Sequence, residues 1–110
     1  MGKHKEYNAV QTAQKVGNAA KKWLQFERKR LGSVDVYAAP MNGHGTQIQL
    51  SFTGHLDTGK KEVIRDFLLG GFKDEIAPVL RAGLGWSTFR VSRCARHKSD
   101  TVYNWFIESR

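Results

Sequence analysis

Apolar residues between positions 8 and 31 recur at steps of three and four, which is the spacing of one face of an α-helix. Gly32 follows the last of them and is a favourable residue for ending a helix. The pattern therefore predicts one long amphipathic helix over residues 8–31, with residues 1–7 frayed and an apolar stripe packed on a core. The stripe consists of Val10, Ala13, Val16, Gly17, Ala20, Trp23, Leu24 and Leu31.

Two later stretches have strand-like sequences and predict β-hairpins. The first pairs residues 34–39 with residues 47–53 across the turn sequence of residues 40–45, and points Ile48, Leu50 and Phe52 at the core. The second pairs residues 88–95 with residues 101–107, and its last strand carries apolar residues on both faces.

Two helical stretches lie between the hairpins, residues 60–69 and a shorter one around residues 74–81, separated by Gly70 and Gly71. Pro78 has to lie in the first turn of the second helix or kink it. The order α-ββ-αα-ββ predicts an α+β fold, in which the two hairpins form a four-stranded antiparallel sheet with helices on at least one face. A chain of 110 residues suits a single domain over residues 1–110.

The composition narrows the class of protein. An apolar fraction of 40% is that of a folded globule, and no apolar run approaches the roughly 18–20 residues that cross a bilayer. The first residues lack the apolar segment of a signal peptide. The sequence has one cysteine, Cys94, which can form no internal disulfide and suits a reducing compartment. These features predict a cytoplasmic protein without membrane contacts.

The charge is basic and uneven. Eighteen Lys and Arg against ten Asp and Glu give a net charge of +8 and a pI near 9.9. Residues 1–31 hold eight basic and two acidic side chains, a net charge of +6. Residues 32–85 hold five basic and six acidic side chains (−1), and residues 86–110 hold five basic and two acidic ones (+3). Such an excess at both ends of the chain predicts a polyanionic partner.

The side of the predicted N-terminal helix opposite its apolar stripe is strongly basic. Three lysines at seven-residue steps form a row about 21 Å long. Three further cations lie beside it, with an aromatic residue positioned to stack on a base or pack on a partner chain. Because this excess goes beyond what solubility needs, we favour a phosphate-binding face over a solvated helix face. The candidate residues are Lys15, Lys21, Lys22, Phe26, Arg28, Lys29 and Arg30.

A second basic cluster lies in the predicted C-terminal hairpin. In a regular strand its first two members point to opposite faces, so all four converge only at a bulge or if the strand ends early. Phosphate contacts at the hairpin tip and charged protection of a sheet edge explain the cluster equally well. Its members are Arg90, Arg93, Arg96 and Lys98.

The segment from Gly54 to Lys61 has the G-x-x-x-x-G-K spacing of a phosphate-binding loop. The sequence Gly54-His-Leu-Asp resembles the phosphate loop of translational GTPases, and this resemblance implies nucleotide binding. Lys61 stands where that loop needs Ser or Thr for Mg²⁺, so nucleotide hydrolysis is not expected. Two interpretations of this segment are left. It is a loop that caps the start of a helix through Asp57 or Thr58, or a helix start at which Lys60 and Lys61 hold a backbone phosphate of a nucleic acid.

The remaining aromatic and metal-ligating residues give weaker signals. The tryptophans and tyrosines could offer base-stacking platforms, but most are expected in the core or an interface, because a small domain needs large apolar side chains. Cys94 and His97 lack two further ligands at metal spacing, so neither a metal nor another cofactor is expected. The aromatic residues concerned are Trp23, Tyr37, Trp86, Tyr103 and Trp105.

The sequence favours a small non-enzymatic protein that binds the phosphate backbone of DNA or RNA through its N-terminal helix and C-terminal hairpin. One alternative is an inhibitor, adaptor or assembly subunit that docks on an acidic protein surface. A second is a metal-independent ribonuclease built from basic and acidic groups of the C-terminal hairpin. A homodimer follows if the apolar stripe of the helix exceeds what the sheet covers. The candidate ribonuclease groups are Arg90, Arg93, His97, Lys98 and Glu108.

Overall fold

The protein is an α+β fold, as its sequence predicts. The computed structural model describes residues 8–41, 47–94 and 99–110, together with the helical backbone of residues 2–7. The elements in chain order are α1 (Gly2–Phe26), α2 (Arg28–Leu31), β1 (Asp35–Pro40), β2 (Gln47–Thr53), α3 (Thr58–Leu69), α4 (Gly71–Leu84), β3 (Phe89–Arg93) and β4 (Val102–Ser109). The four strands form one antiparallel sheet in the order β1-β2-β4-β3.

The register of the sheet separates an inner face from an outer face. Val36 lies opposite Phe52, which in turn lies opposite Tyr103. Because side chains alternate between faces along a strand, these rows place all the strand residues of the hydrophobic core on the inner face. They are Val36, Ile48, Leu50, Phe52, Val91, Tyr103, Trp105 and Ile107.

The helices complete the core on the same inner face. α1 packs against β1 and α4, and α3 packs against α4. At the crossing of α1 and β1, a Cβ added to Gly17 would lie 3.3 Å from the Cβ of Ala38, so the two backbones approach closely. Ala13, Val16 and Ala20 of α1 are fully buried there, whereas Val10, which the sequence pattern assigns to the same apolar stripe, is 45% exposed.

The helices differ from the prediction in two places. The predicted single helix over residues 8–31 begins at Gly2 instead of leaving residues 1–7 frayed, and it is interrupted at Glu27, which separates α1 from α2.

The second helix between the hairpins also starts earlier than predicted. α4 begins at Gly71 rather than near residue 74, so Pro78 lies in the helix interior and not in its first turn. The apolar residues Phe72, Ile76 and Leu80 recur at four-residue steps and are fully buried, while Pro78 is exposed. Burial of this stripe stabilises α4 even though the proline removes one backbone hydrogen bond.

Candidate nucleic-acid interface

The predicted basic row lies on the exposed side of α1 and α2. Lys15, Lys22 and Lys29 are all exposed, and Phe26 between them leaves 78% of its surface in solvent. Lys21 of α1 and Arg28 of α2 are also exposed, and both line a cavity next to the chain that leads into β1. Together α1 and α2 present five exposed cations and an aromatic ring, here called the α1 basic surface.

These five cations are not paired with acids inside the described part of the chain. Among the described residues, the ion pair in this region joins Arg30 to Glu27, with 2.7 Å between guanidinium nitrogen and carboxylate oxygen. Arg30 is thus partly neutralised, whereas Lys15, Lys21, Lys22, Arg28 and Lys29 form no ion pair among the described residues, although Asp35 lines the same cavity as Lys21 and Arg28. A surface of this kind attracts anions from solution.

A groove runs along the side of the α1 basic surface that faces β1. Its wider part, about 440 Å³, lies between the end of α1 and the chain leading into β1, and its narrower part, about 190 Å³, continues along β1. Lys21 lines both parts, which therefore lie next to each other beside the helix. The side chains and backbone of the groove come from Gln14, Gly17, Asn18, Lys21, Leu24, Gln25, Arg28, Gly32, Ser33, Val34, Asp35, Tyr37 and Ala38.

Lys60 lies near Gly32, one of the residues that line this groove, and Lys61 has other neighbours. The Lys60 ammonium donates to the carbonyl of His55 at 3.0 Å, and a Cβ added to Gly32 would lie 3.7 Å from it. Because an ammonium has three donors, Lys60 can still contact a phosphate there. The Lys61 ammonium instead lies 3.9 Å from Asp100 and 5.8 Å from the ring centroid of Tyr103.

The segment that resembles a phosphate loop is a capped helix start, so the capping interpretation is confirmed. Oδ1 of Asp57 accepts the backbone N–H of Lys60 at 2.9 Å and puts a carboxylate where a phosphate would bind. Gly54 has a conformational role, since its φ is +139° and a Cβ there would lie 2.8 Å from the carbonyl oxygen of Ser33.

Loss of this cap should weaken the fold but not the binding of a polyanion. Asp57→Ala is expected to lower the free energy of unfolding by about 1 kcal/mol, because an N–H at the start of α3 loses its acceptor. Urea denaturation measures the change, and Asp57→Asn, which retains an acceptor, should recover most of it. Equal stability of Asp57→Ala and the natural protein would contradict the role given to this carboxylate.

The C-terminal cluster is divided by the sheet. β3 is a regular strand, so Arg90 lies on the outer face and Arg93 on the inner one, and Arg96, His97 and Lys98 lie outside the described residues. Arg90 donates to Glu108 at 3.0 Å. Because β1 and β3 are the two edges of the sheet, this cluster lies about 14 Å across the sheet from β1 and the groove.

The aromatic residues follow the core prediction with one clear exception. Trp86, Tyr103 and Trp105 are buried, and the half-buried Trp23 stacks on Phe67 with 3.9 Å between ring centroids. Tyr37 instead leaves 56% of its surface exposed on the outer face of β1. Its sequence signal is the alternation with Val36 and Ala38, which take the inner positions of the same strand.

Comparison with known proteins adds no assignment, because no protein-family model, curated protein or solved structure matches this chain. Within the described ranges, no cluster of three or more His, Cys, Asp or Glu side chains is arranged to hold a metal ion. Among the described helices, none combines the length and apolarity needed to cross a membrane.

Proposed function

We propose that this protein binds nucleic acid by holding its phosphate backbone on the α1 basic surface and in the adjoining groove. The observation that carries the proposal is the set of five exposed cations without an acidic partner among the described residues. A cytoplasmic location, where the thiol of Cys94 stays reduced, fits this proposal.

The physical basis is the release of counterions from the polyanion. Each cation that neutralises a phosphate contributes about −0.7 to −0.9 to the slope of log affinity against log salt. Five contacts therefore give a slope of about −3.5 to −4.5. Arg90 and Lys61 contribute less, because each already has a carboxylate neighbour.

Fluorescence anisotropy with labelled single- and double-stranded DNA and RNA, over roughly 50 to 300 mM salt, tests this function. We expect binding that weakens steeply with salt and leaves the probes intact on a denaturing gel. Absence of binding at the lowest salt would overturn the proposal. Fragmented probes in the presence of EDTA would instead support the ribonuclease.

Phe26 favours a second candidate, an acidic protein partner. A ring that is 78% exposed among lysines has the character of an interface anchor, since aromatic residues surrounded by polar groups dominate many protein interfaces. Capture of one acidic protein that survives nuclease treatment and is lost with Phe26→Ala would favour this candidate over nucleic acid.

A further inference from the structure

The outer face of the sheet is a second surface, distinct from the α1 basic surface. None of its residues belongs to the described hydrophobic core, because the described helices pack on the inner face. Its positions follow from the register of the four strands. They are Asp35, Tyr37 and Ala39 of β1, Gln47, Gln49, Ser51 and Thr53 of β2, Val102, Asn104, Phe106 and Glu108 of β4, and Arg90 and Ser92 of β3.

We propose that the nucleic acid is single-stranded and that its bases lie on this outer face, stacked on Tyr37 and Phe106, while its backbone follows the groove beside α1. This inference rests on the proposed function and names the class of polymer that the site selects. Four kinds of observation support it: the two rings, the polar groups between them, the balance of charge, and the continuity of the face with the groove.

The rings of Tyr37 and Phe106 lie on the outer face, where bases could stack on them, and not in the core. Tyr37 is 56% exposed, and Phe106 is half-buried in the central strand β4 without joining the core cluster. They lie two strands and two residues apart, which corresponds to about 12 Å along the face. A base can stack on either ring, whatever its identity, since every base has a π-face.

The surface between the rings is polar and nearly uncharged. Gln49 and Ser51 of β2 lie between Tyr37 and Phe106, and the Ser51 hydroxyl donates to Asn104 at 2.8 Å. Ser51 is itself only 6% exposed, so the half-buried amides of Gln49 and Asn104 are the groups that can hydrogen-bond the edges of unpaired bases.

One of the two acids in this face, Glu108, is neutralised, whereas Asp35 at the start of β1 is exposed and lines the wider part of the groove together with Lys21 and Arg28. Glu108 accepts from Gln47 at 2.6 Å through one carboxylate oxygen and from Arg90 at 3.0 Å through the other. The carboxylate is therefore balanced by a guanidinium and does not present an open negative charge to an approaching strand.

The outer face is continuous with the groove. Tyr37 and Lys21 line the same narrow part of the groove, so a backbone phosphate at Lys21 and a base over Tyr37 belong to neighbouring positions. Only an unpaired strand can use both surfaces, because the faces of bases in a duplex are covered by their neighbours.

The test compares a mixed-sequence single strand with an abasic strand of equal length and charge, in DNA, with the corresponding RNA single strand as a further arm. We expect the abasic strand and the duplex of the same sequence each to bind about tenfold more weakly than the ordinary single strand. Tyr37→Ala should weaken binding of the ordinary strand about tenfold and leave the abasic strand and the salt slope unchanged. Tyr37→Phe, which keeps the ring, should retain the affinity.

Leu69→Ala is the matched control, since Leu69 is 45% exposed on α3 and belongs to neither surface. Phe106→Leu, which keeps an apolar side chain in β4, gives a second ring deletion if Phe106→Ala folds poorly. Equal binding of ordinary and abasic strands, or full affinity of Tyr37→Ala, would overturn the inference while the proposed function stands. Failure of every probe to bind at low salt would overturn both.

Discussion

Replacing Lys15, Lys22 and Lys29 together by alanine is expected to weaken nucleic-acid binding roughly tenfold or more near 0.1 M salt. The three ammonium groups are exposed along one side of α1 and α2, and none has an ion-pair partner among the described residues. If each contacts a phosphate, their removal reduces the salt slope by about 2 to 2.7, because three fewer contacts release counterions. Anisotropy titrations at several salt concentrations measure both quantities.

The matched control is Arg65→Ala, Lys73→Ala and Arg81→Ala combined. These cations lie on α3 and α4, outside the α1 basic surface, and their loss lowers the net charge by the same three units. We expect this control to change the affinity much less and to keep the slope. Equal losses in the two triple variants would show that net charge alone, and not the α1 basic surface, determines binding.

Gly83→Ala is expected to lower the free energy of unfolding by about 1–3 kcal/mol. Gly83 lies in α4 where that helix crosses α1, and a Cβ added there would overlap Oγ1 of Thr12 and lie 3.1 Å from its Cβ. Thr12 is itself only 3% exposed, so α1 and α4 cannot move apart to make room for the added methyl group without shifting core residues. Chemical denaturation of both proteins measures the difference.

Two further variants separate this clash from a general effect of alanine. Gly71→Ala is the same substitution in the same helix, but a Cβ there would meet nothing within 4 Å, so no destabilisation is expected. Thr12→Ala should recover part of the loss when combined with Gly83→Ala, since it removes the overlapping hydroxyl. Full stability of Gly83→Ala alone would contradict the packing of α1 on α4.

The sequence predicts the elements of this fold better than their arrangement. Alternation in β2 identifies Ile48, Leu50 and Phe52 as inner residues, because burial on one face imposes a period of two. The length of α4 could not be predicted around Pro78, since tertiary burial outweighs the lost hydrogen bond. The strand order depends on pairing between β2 and β4, which are far apart in sequence and have no local signal.

The same distinction holds for the candidate interface. Helical periodicity predicts Lys15, Lys22 and Lys29 on one side of a single helix; all three are exposed, although Lys29 lies in α2, after the break at Glu27. The groove could not be predicted, because it depends on how α1 and the chain after it lie against β1. The outer face likewise requires knowing that the described helices all pack on the inner face, which leaves Tyr37 exposed.

Lysine footprinting of the complex tests the central proposal most directly. The free protein and its complex with a single-stranded oligonucleotide at low salt are acetylated briefly, and the modified residues are identified by mass spectrometry. Bound phosphates should protect Lys15, Lys21, Lys22 and Lys29, while Lys73 on α4 stays as reactive as in the free protein. Unchanged reactivity of those four lysines in a saturated complex, or equal protection of Lys73, would contradict binding through the α1 basic surface.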